Sequence, residues 1–241
     1  CNNWVDEVNR LDDLVDLYQK YASKTELRRR AEEAVGLLEG EGAANLKESH
    51  GGRQGAYMQI AYCYANYLME QETGLVYFQK ALEEARQTQA GKDSNDYRRI
   101  LRELMRCCWR LGDLEQAKEY QALHRESLEL LYADCGDLGR DAEELYAGDC
   151  SCGKANIYCL FTVSYFCGEY EKAREYLERM VKSKWCWNCA RKGCTEELEC
   201  KGYMALHEGK VEEAIRHFEQ AIACSGRGND DAAKELRLLK G

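Results

Sequence analysis

The sequence of 241 residues predicts an all-α fold. The expected architecture is a right-handed superhelical solenoid of about five antiparallel helix pairs with a C-terminal capping helix. Segments 161–177 and 202–221 align with each other, each reading as an apolar helix, a glycine turn and a second helix. The chain contains no proline and 32% charged residues, which favours a long run of helices. One helix pair cannot bury its apolar face alone, so the repeated unit predicts a stack of pairs.

The last repeat shows the pattern most completely. Its diagnostic positions are Gly202, Gly209, Ala214, Phe218 and Ala221. These residues resemble the tetratricopeptide repeat family, in which a small residue, a Gly turn, Ala, a large apolar residue and Ala recur over about 34 residues. The resemblance implies a helical repeat fold and an interaction function, and it names no partner.

The pattern loosens upstream. The unit around Gly112 keeps its turn and Ala117, but Gln121 and His124 occupy the later apolar and small positions. In the unit before it, Met69 stands where the turn glycine is expected. The first pair is helical by its apolar spacing and has only a weak repeat signature.

We expect residues 1–241 to form one domain, and the missing initiator Met suggests a fragment of a longer protein. An N-terminal effector domain is then expected upstream, as in the sensing half of a bacterial cytoplasmic regulator. The predicted pairs lie near 4–39, 54–88, 94–132, 153–183 and 195–224, with the cap at 229–239.

Composition and motifs exclude several functional classes. The formal net charge of −9 argues against a general nucleic-acid surface. The sequence contains neither an apolar run long enough to cross a membrane nor a secretory signal. Its four histidines are scattered and no catalytic motif is present, so we expect no enzyme. Many cysteines lie in predicted helices without obvious mates, which fits a reducing cytoplasm.

Five further cysteines lie in two predicted loops with the spacing of metal ligands. Cys150 and Cys152 form a CxC motif, and Cys186, Cys189 and Cys194 form CxxCxxxxC. Both loops are expected at the same edge of a helix stack. Four of these thiolates would complete a structural zinc site, with Cys152 preferred to Cys150 as the fourth ligand. A disulfide or free thiols are the alternatives.

A row of arginines is the most specific functional pattern. Arg98, Arg102, Arg106 and Arg110 recur every four residues and therefore share one side of a helix, with Arg99 beside them. The family resemblance implies that the first helix of each unit lines a concave groove. The predicted groove residues are Arg99, Arg102, Arg106, Trp109 and Arg110, with Asn66 and Tyr67 from the preceding unit and Tyr158, Thr162 and Tyr165 from the following one.

This groove suits a carboxylate ligand, because guanidinium groups pair with carboxylates bidentately and aromatic rings cover apolar side chains. The other interpretation is a solvated charged face balanced by Glu103 and Asp96. Two functions follow from the sequence. The first is a protein or peptide interaction module for an acidic or carboxylate-bearing partner, with a structural zinc site. The second is a zinc-stapled scaffold or self-association domain, whose inner face is filled by its own termini or a second copy.

Overall fold

The computed structural model describes the chain in seven segments. They are residues 23–40, 52–87, 92, 94–133, 154–182, 195–225 and 230–240. These residues contain no strand, and the all-α class is confirmed. The helices are α1 (Lys24–Glu39), α2 (Gly52–Tyr62), α3 (Gln71–Arg86), α4 (Asn95–Leu111), α5 (Leu114–Ala133), α6 (Lys154–Phe166), α7 (Tyr170–Lys182), α8 (Thr195–His207), α9 (Val211–Ser225) and α10 (Asp230–Lys240). The first predicted helix, near 4–21, lies outside the described residues.

The chain divides into two compact units, Cys1–Asp113 and Leu114–Gly241. In the first unit, α2 packs on α3 and α3 packs on α4. In the second, α6 pairs with α7 and α8 pairs with α9, while α8 also contacts both helices of the preceding pair. The last helix, α10, packs on α9 and is the predicted capping helix.

Three glycine turns end a helix with the same local geometry. Gly112, Gly168 and Gly209 have φ values of 78°, 78° and 73°. In each turn, the amide after the glycine donates to the carbonyl five residues before it, at 2.8 to 2.9 Å. Glycine adopts this left-handed conformation without a steric cost from Cβ. The repeated helix–turn–helix unit predicted from the sequence therefore has one local geometry.

The turn at Met69 is a variant of these glycine turns. Met69 has φ 64°, so a methionine takes the left-handed position of the expected glycine. A π-helical segment, Cys63–Leu68, continues α2 up to this turn. The amide of Glu70 consequently donates to the carbonyl of Tyr64, six residues before it, at 2.8 Å. The π-helical turn accommodates one extra residue before the chain reverses.

Small residues lie in the first turn of the helix that follows each of these turns. Ala117, Ala173 and Ala214 each follow their turn glycine by five residues, and all three are fully buried. Gly74 follows Met69 by the same interval. The large apolar position of the motif is also in the core, as Phe218 shows. In the pairs α6–α7 and α8–α9, the spacing recognised in the sequence is thus the spacing between the turn glycine and the buried small residue that begins the second helix.

Candidate interaction site

Helix α4 carries the arginine row, and clear signals fix its two ends. At the N-terminus, the hydroxyl of Ser94 accepts a hydrogen bond from the amide of Tyr97 at 3.0 Å. At the C-terminus, the left-handed Gly112 ends the helix. One face of α4 is fully buried and consists of Tyr97, Ile100, Leu101, Leu104 and Met105. Burial of this face sets the rotation of the helix and hence the position of each arginine.

Arg99 is the most exposed arginine of the row. The Arg99 side chain is 51% exposed and forms an ion pair with Asp96 at 3.1 Å. Its Nη2 also lies 3.6 Å from the sulfur of Met58 in α2. Arg102 is half-buried. At Arg99 the structure therefore agrees with a solvated charged face.

Arg106 differs, because its side chain is only 5% exposed. Its Nη1 lies 3.4 Å from Oε2 of Glu103, whose side chain is 10% exposed. Arg98 is buried as well and donates to the side-chain oxygen of Asn95. The interpretation of the whole row as solvated is wrong at Arg98 and Arg106. Alternate members of the row, Arg98 and Arg106, are therefore buried. The long apolar stem of an arginine side chain can be buried when its guanidinium group is paired.

Arg110 joins α4 to the π-helical segment. Its Nη1 donates to Oδ1 of Asn66 at 3.2 Å and to Oε1 of Gln71 at 3.3 Å. Gln71 in turn donates to the carbonyl of Ala65 at 2.6 Å. Asn66 is 1% exposed, and its amide nitrogen has no hydrogen-bond acceptor among the described residues. The structure therefore brings together the predicted residues Arg110 and Asn66 and adds Gln71, which sequence reasoning missed.

Two other predicted groove residues of the first unit flank this cluster. Tyr67, in the π-helical segment, is 9% exposed. Trp109, next to Arg110 in α4, is half-buried. Of these two aromatic side chains, Trp109 is therefore the more accessible to a ligand.

In the second unit, two predicted groove residues lie in the core. Tyr165 is 1% exposed, and its hydroxyl donates to the carbonyl of Tyr203 at 2.7 Å. Burial raises the pKa of Tyr165 well above its usual value. Thr162 is 3% exposed and donates to the carbonyl of Cys159 at 3.0 Å. Their polar groups are thus engaged within the unit.

Tyr158 has a different environment, because it contacts α10. Its hydroxyl donates to Oδ2 of Asp231 at 3.2 Å. One helix pair further along the chain, the hydroxyl of Tyr203 donates to Oε1 of Glu235 at 3.1 Å. First helices of two successive pairs, α6 and α8, therefore each bind a carboxylate of the capping helix.

A third polar contact completes this arrangement. Oε1 of Glu199 accepts a hydrogen bond from the backbone amide of Ala232, in the first turn of α10, at 3.0 Å. Glu199 and Glu235 are each only 2% exposed. Sequence reasoning missed these residues, although Glu199 precedes the buried Tyr203 by one helical turn, as Asp231 precedes Glu235. We call Tyr158, Glu199 and Tyr203 the α10-binding face.

The cysteines separate into two groups. The five predicted zinc ligands, Cys150, Cys152, Cys186, Cys189 and Cys194, lie outside the described residues. Within the described ranges, no group of three or more His, Cys, Asp or Glu side chains could hold a metal ion. The described cysteines are free thiols, most of them buried in helices. The buried ones pack as small apolar side chains.

Comparisons with known proteins concern the fold. No family model matches the sequence, and no curated protein matches it. The crystal structure of BtubC (BKLC) from P. vanneervenii is similar, with a TM-score of 0.52 and 16% sequence identity, over 91% of this chain and 80% of that one. The chain has a tetratricopeptide-like repeat fold. A putative kinesin light chain of Podosopora anserina with nearly identical TPR-like repeats also matches, with a TM-score of 0.48 and 16% identity over 91% of this chain and 96% of that one.

Among the described helices, none is sufficiently long and apolar to traverse a lipid bilayer.

Proposed function

We propose that this chain is a protein-interaction scaffold that binds an acidic or carboxylate-bearing protein or peptide segment. The binding surface in the first unit comprises Arg99, Arg102 and Arg110 on α4, and Asn66 and Gln71 from the preceding pair position Arg110. Arg99 and Arg102 are accessible to a partner. A binding role requires no catalysis, and we propose none.

The observation that carries this proposal is the cluster of Arg110, Asn66 and Gln71. Two amide oxygens orient the guanidinium without adding negative charge. The amide nitrogen of Asn66 is itself buried, so the contacts to a ligand would come from the guanidinium groups. A carboxylate complements the positive charge of the arginines and pairs with guanidinium groups in a bidentate geometry.

A direct test titrates a labelled library of short acidic peptides against native protein and the Arg99→Ala/Arg102→Ala variant. Each charge-assisted contact is expected to contribute about 1.5 to 3 kcal/mol, so the double variant should bind at least tenfold more weakly. The matched control is Arg29→Ala/Arg125→Ala, which removes two charges from exposed sites on α1 and α5. Equal binding by the native chain and the Arg99/Arg102 variant would refute the proposal.

A second variant examines the cluster itself. Asn66→Asp places a carboxylate of nearly the same shape beside Arg110 and competes internally with an acidic ligand. We expect weaker peptide binding and an undiminished helical circular dichroism signal. Tighter binding of the acidic peptides by this variant would contradict the assignment of Arg110 as a ligand contact.

A structural zinc site is proposed for the loop cysteines. Helix α6 begins at Lys154, shortly after Cys152, and its antiparallel partner α7 ends at Lys182, shortly before Cys186. The start of the first helix and the end of the second lie at the same edge of the pair, which supports the proximity of the two loops. Four thiolates leave no open coordination position, so the zinc would stabilise the fold.

A structural scaffold or self-association domain without a peptide ligand is the alternative function. The contact of α10 with first helices favours it in one respect, because the chain's own C-terminal helix covers part of that surface. Sedimentation of the purified chain over a range of concentrations separates a homo-oligomer from a monomer. The free thiols of the described helices support our placement of the protein in the cytoplasm.

A further inference from the structure

The contacts of α10 with α6 and α8 go beyond what a terminal cap requires. A capping helix needs an apolar face toward the last pair and a polar face toward solvent. Ala232 and Leu236 of α10 are buried and satisfy the first requirement. Asp231 and Glu235, however, point carboxylates at tyrosine hydroxyls of two different first helices. Glu235 is 2% exposed, and burying a carboxylate is costly unless a specific partner compensates it, so its contact with Tyr203 selects for an acidic residue. Asp231 is 24% exposed and also pairs with Nζ of Lys234 in α10 at 3.1 Å.

The same face also recognises the backbone of a helix. The first amides of a helix lack partners within the helix and carry a partial positive charge. Glu199 supplies a buried acceptor to one of them, the amide of Ala232. Tyr158 and Tyr203 supply donors to two side chains spaced one turn apart. Two donors and one acceptor therefore match the first two turns of an acidic helix.

We propose that the α10-binding face is a docking surface for an acidic amphipathic helix, and that α10 occupies it as an internal competitor. The partner helix carries Asp or Glu at two positions one turn apart and an apolar residue immediately after the second acid. Glu235 and Leu236 of α10 show this arrangement. This surface shares no residue with the arginine surface proposed above, so either assignment can fail without the other.

Competition within one chain has a measurable consequence. A tethered helix has a high effective concentration and keeps an external helix of equal intrinsic affinity from binding. Weakening the contacts of α10 should therefore expose the face and raise the apparent affinity for an added helix. Removing a tyrosine donor should lower the affinity of every acidic helix.

The test uses the full chain and a fluorescent synthetic peptide with the sequence of residues 229–241. In Asp231→Ala/Glu235→Ala protein, the peptide is expected to bind at least about tenfold more tightly than in native protein, since two carboxylate contacts of α10 are lost. Adding Tyr158→Phe and Tyr203→Phe should abolish that gain. The control protein is Glu171→Ala/Glu175→Ala, which removes two exposed carboxylates one turn apart on α7 and should bind like native protein.

A second peptide, with the residues equivalent to Asp231 and Glu235 changed to Asn and Gln, examines the chemistry of recognition and should show no gain. Circular dichroism verifies the helix content of each protein. If Asp231→Ala/Glu235→Ala unfolds the chain, Asp231→Asn/Glu235→Gln replaces it, because the amides keep the size and the acceptor oxygens. Equal peptide affinity for the native and α10-weakened proteins, or equal binding of the acidic and amide peptides, overturns the proposal and leaves α10 as a cap.

Discussion

Gly202 of α8 lies so close to the ring of Phe218 in α9 that a β-carbon on residue 202 would sit 2.6 Å from Cε1 of that ring. Phe218 is fully buried, so its ring has little room to withdraw. The small residue on one helix and the large ring on the other are therefore a matched pair. This contact explains why the repeat pattern requires a small residue before the turn and a large one after it.

The first prediction concerns this contact. Gly202→Ala should destabilise the protein by about 1 to 3 kcal/mol, the usual cost of overpacking a core, although alanine favours helix over glycine. The control is Gly36→Ala on the exposed side of α1, where an added β-carbon meets no atom within 4 Å. That variant should gain about 0.5 to 1 kcal/mol. Urea denaturation measures both, and a shift of the two midpoints in the same direction would contradict the packing account.

The second prediction concerns the turn at Met69. A non-glycine residue in the left-handed conformation costs about 1 to 2 kcal/mol, part of which Met69→Gly should recover. We expect a higher thermal midpoint for that variant. The converse substitution, Gly112→Ala, is the control. Residue 112 has φ 78° and an added β-carbon would meet no atom within 4 Å, so conformational strain alone should lower the thermal midpoint. A lower midpoint for Met69→Gly would show that the methionine side chain contributes more than its strain costs.

The repeat geometry could be predicted because its signals are local. Gly112 is followed five residues later by Ala117, and the equivalent pairs recur in the other units. The left-handed position of Met69 could be inferred from the same register, although the residue there is a methionine and not a glycine. The π-helical segment before it could not be predicted, since nothing in its composition marks the extra residue.

The site was harder to predict, because burial depends on which neighbours cover a helix. Periodicity correctly put the arginines on one side of α4, yet it could not distinguish the exposed Arg99 from the buried Arg106. The contact between Tyr158 and Asp231 joins residues 73 positions apart. Spacing within one helix carries no information about such pairs. The acids of α10 consequently read as ordinary surface charges in the sequence.

The third prediction concerns the buried thiols. Burial raises the pKa of Cys63 and of Cys107 to about 12, from an ordinary value of 9.0. Both are therefore protonated thiols at pH 8, and alkylation should be much slower there than at the half-exposed Cys159 and Cys224. Mass spectrometry of partially alkylated native protein measures this order. Faster labelling of Cys63 or Cys107 would contradict their burial.

The same pKa shifts set a pH dependence of stability. The folded state holds these thiol protons more tightly than the unfolded state, so this stabilisation is fully present below pH 9. It should be lost as the pH rises from about 9 to about 12. The free energy of unfolding, measured by urea denaturation at pH 8 and pH 10, is expected to fall. A Cys63→Ala/Cys107→Ala variant should show a smaller fall.

The fourth prediction concerns zinc. Protein purified without chelator should contain about one zinc ion per chain, held by four of the five loop cysteines. Cys186→Ser/Cys189→Ser should release the metal and lower the thermal midpoint. Cys224→Ser, which changes a half-exposed thiol in α9, should retain it. Absence of zinc in native protein, or equal zinc content in all three proteins, would end this proposal.

The central claim is that the chain binds an acidic segment through charge. The most direct measurement is the affinity of native protein for one selected acidic peptide and for its amide version, with every Asp and Glu changed to Asn and Gln, at low and high salt. Screening weakens attraction between exposed charges, so the acidic peptide should bind more tightly than the amide version, and this advantage should shrink as salt rises. Equal affinity for the two peptides at low salt would contradict the claim.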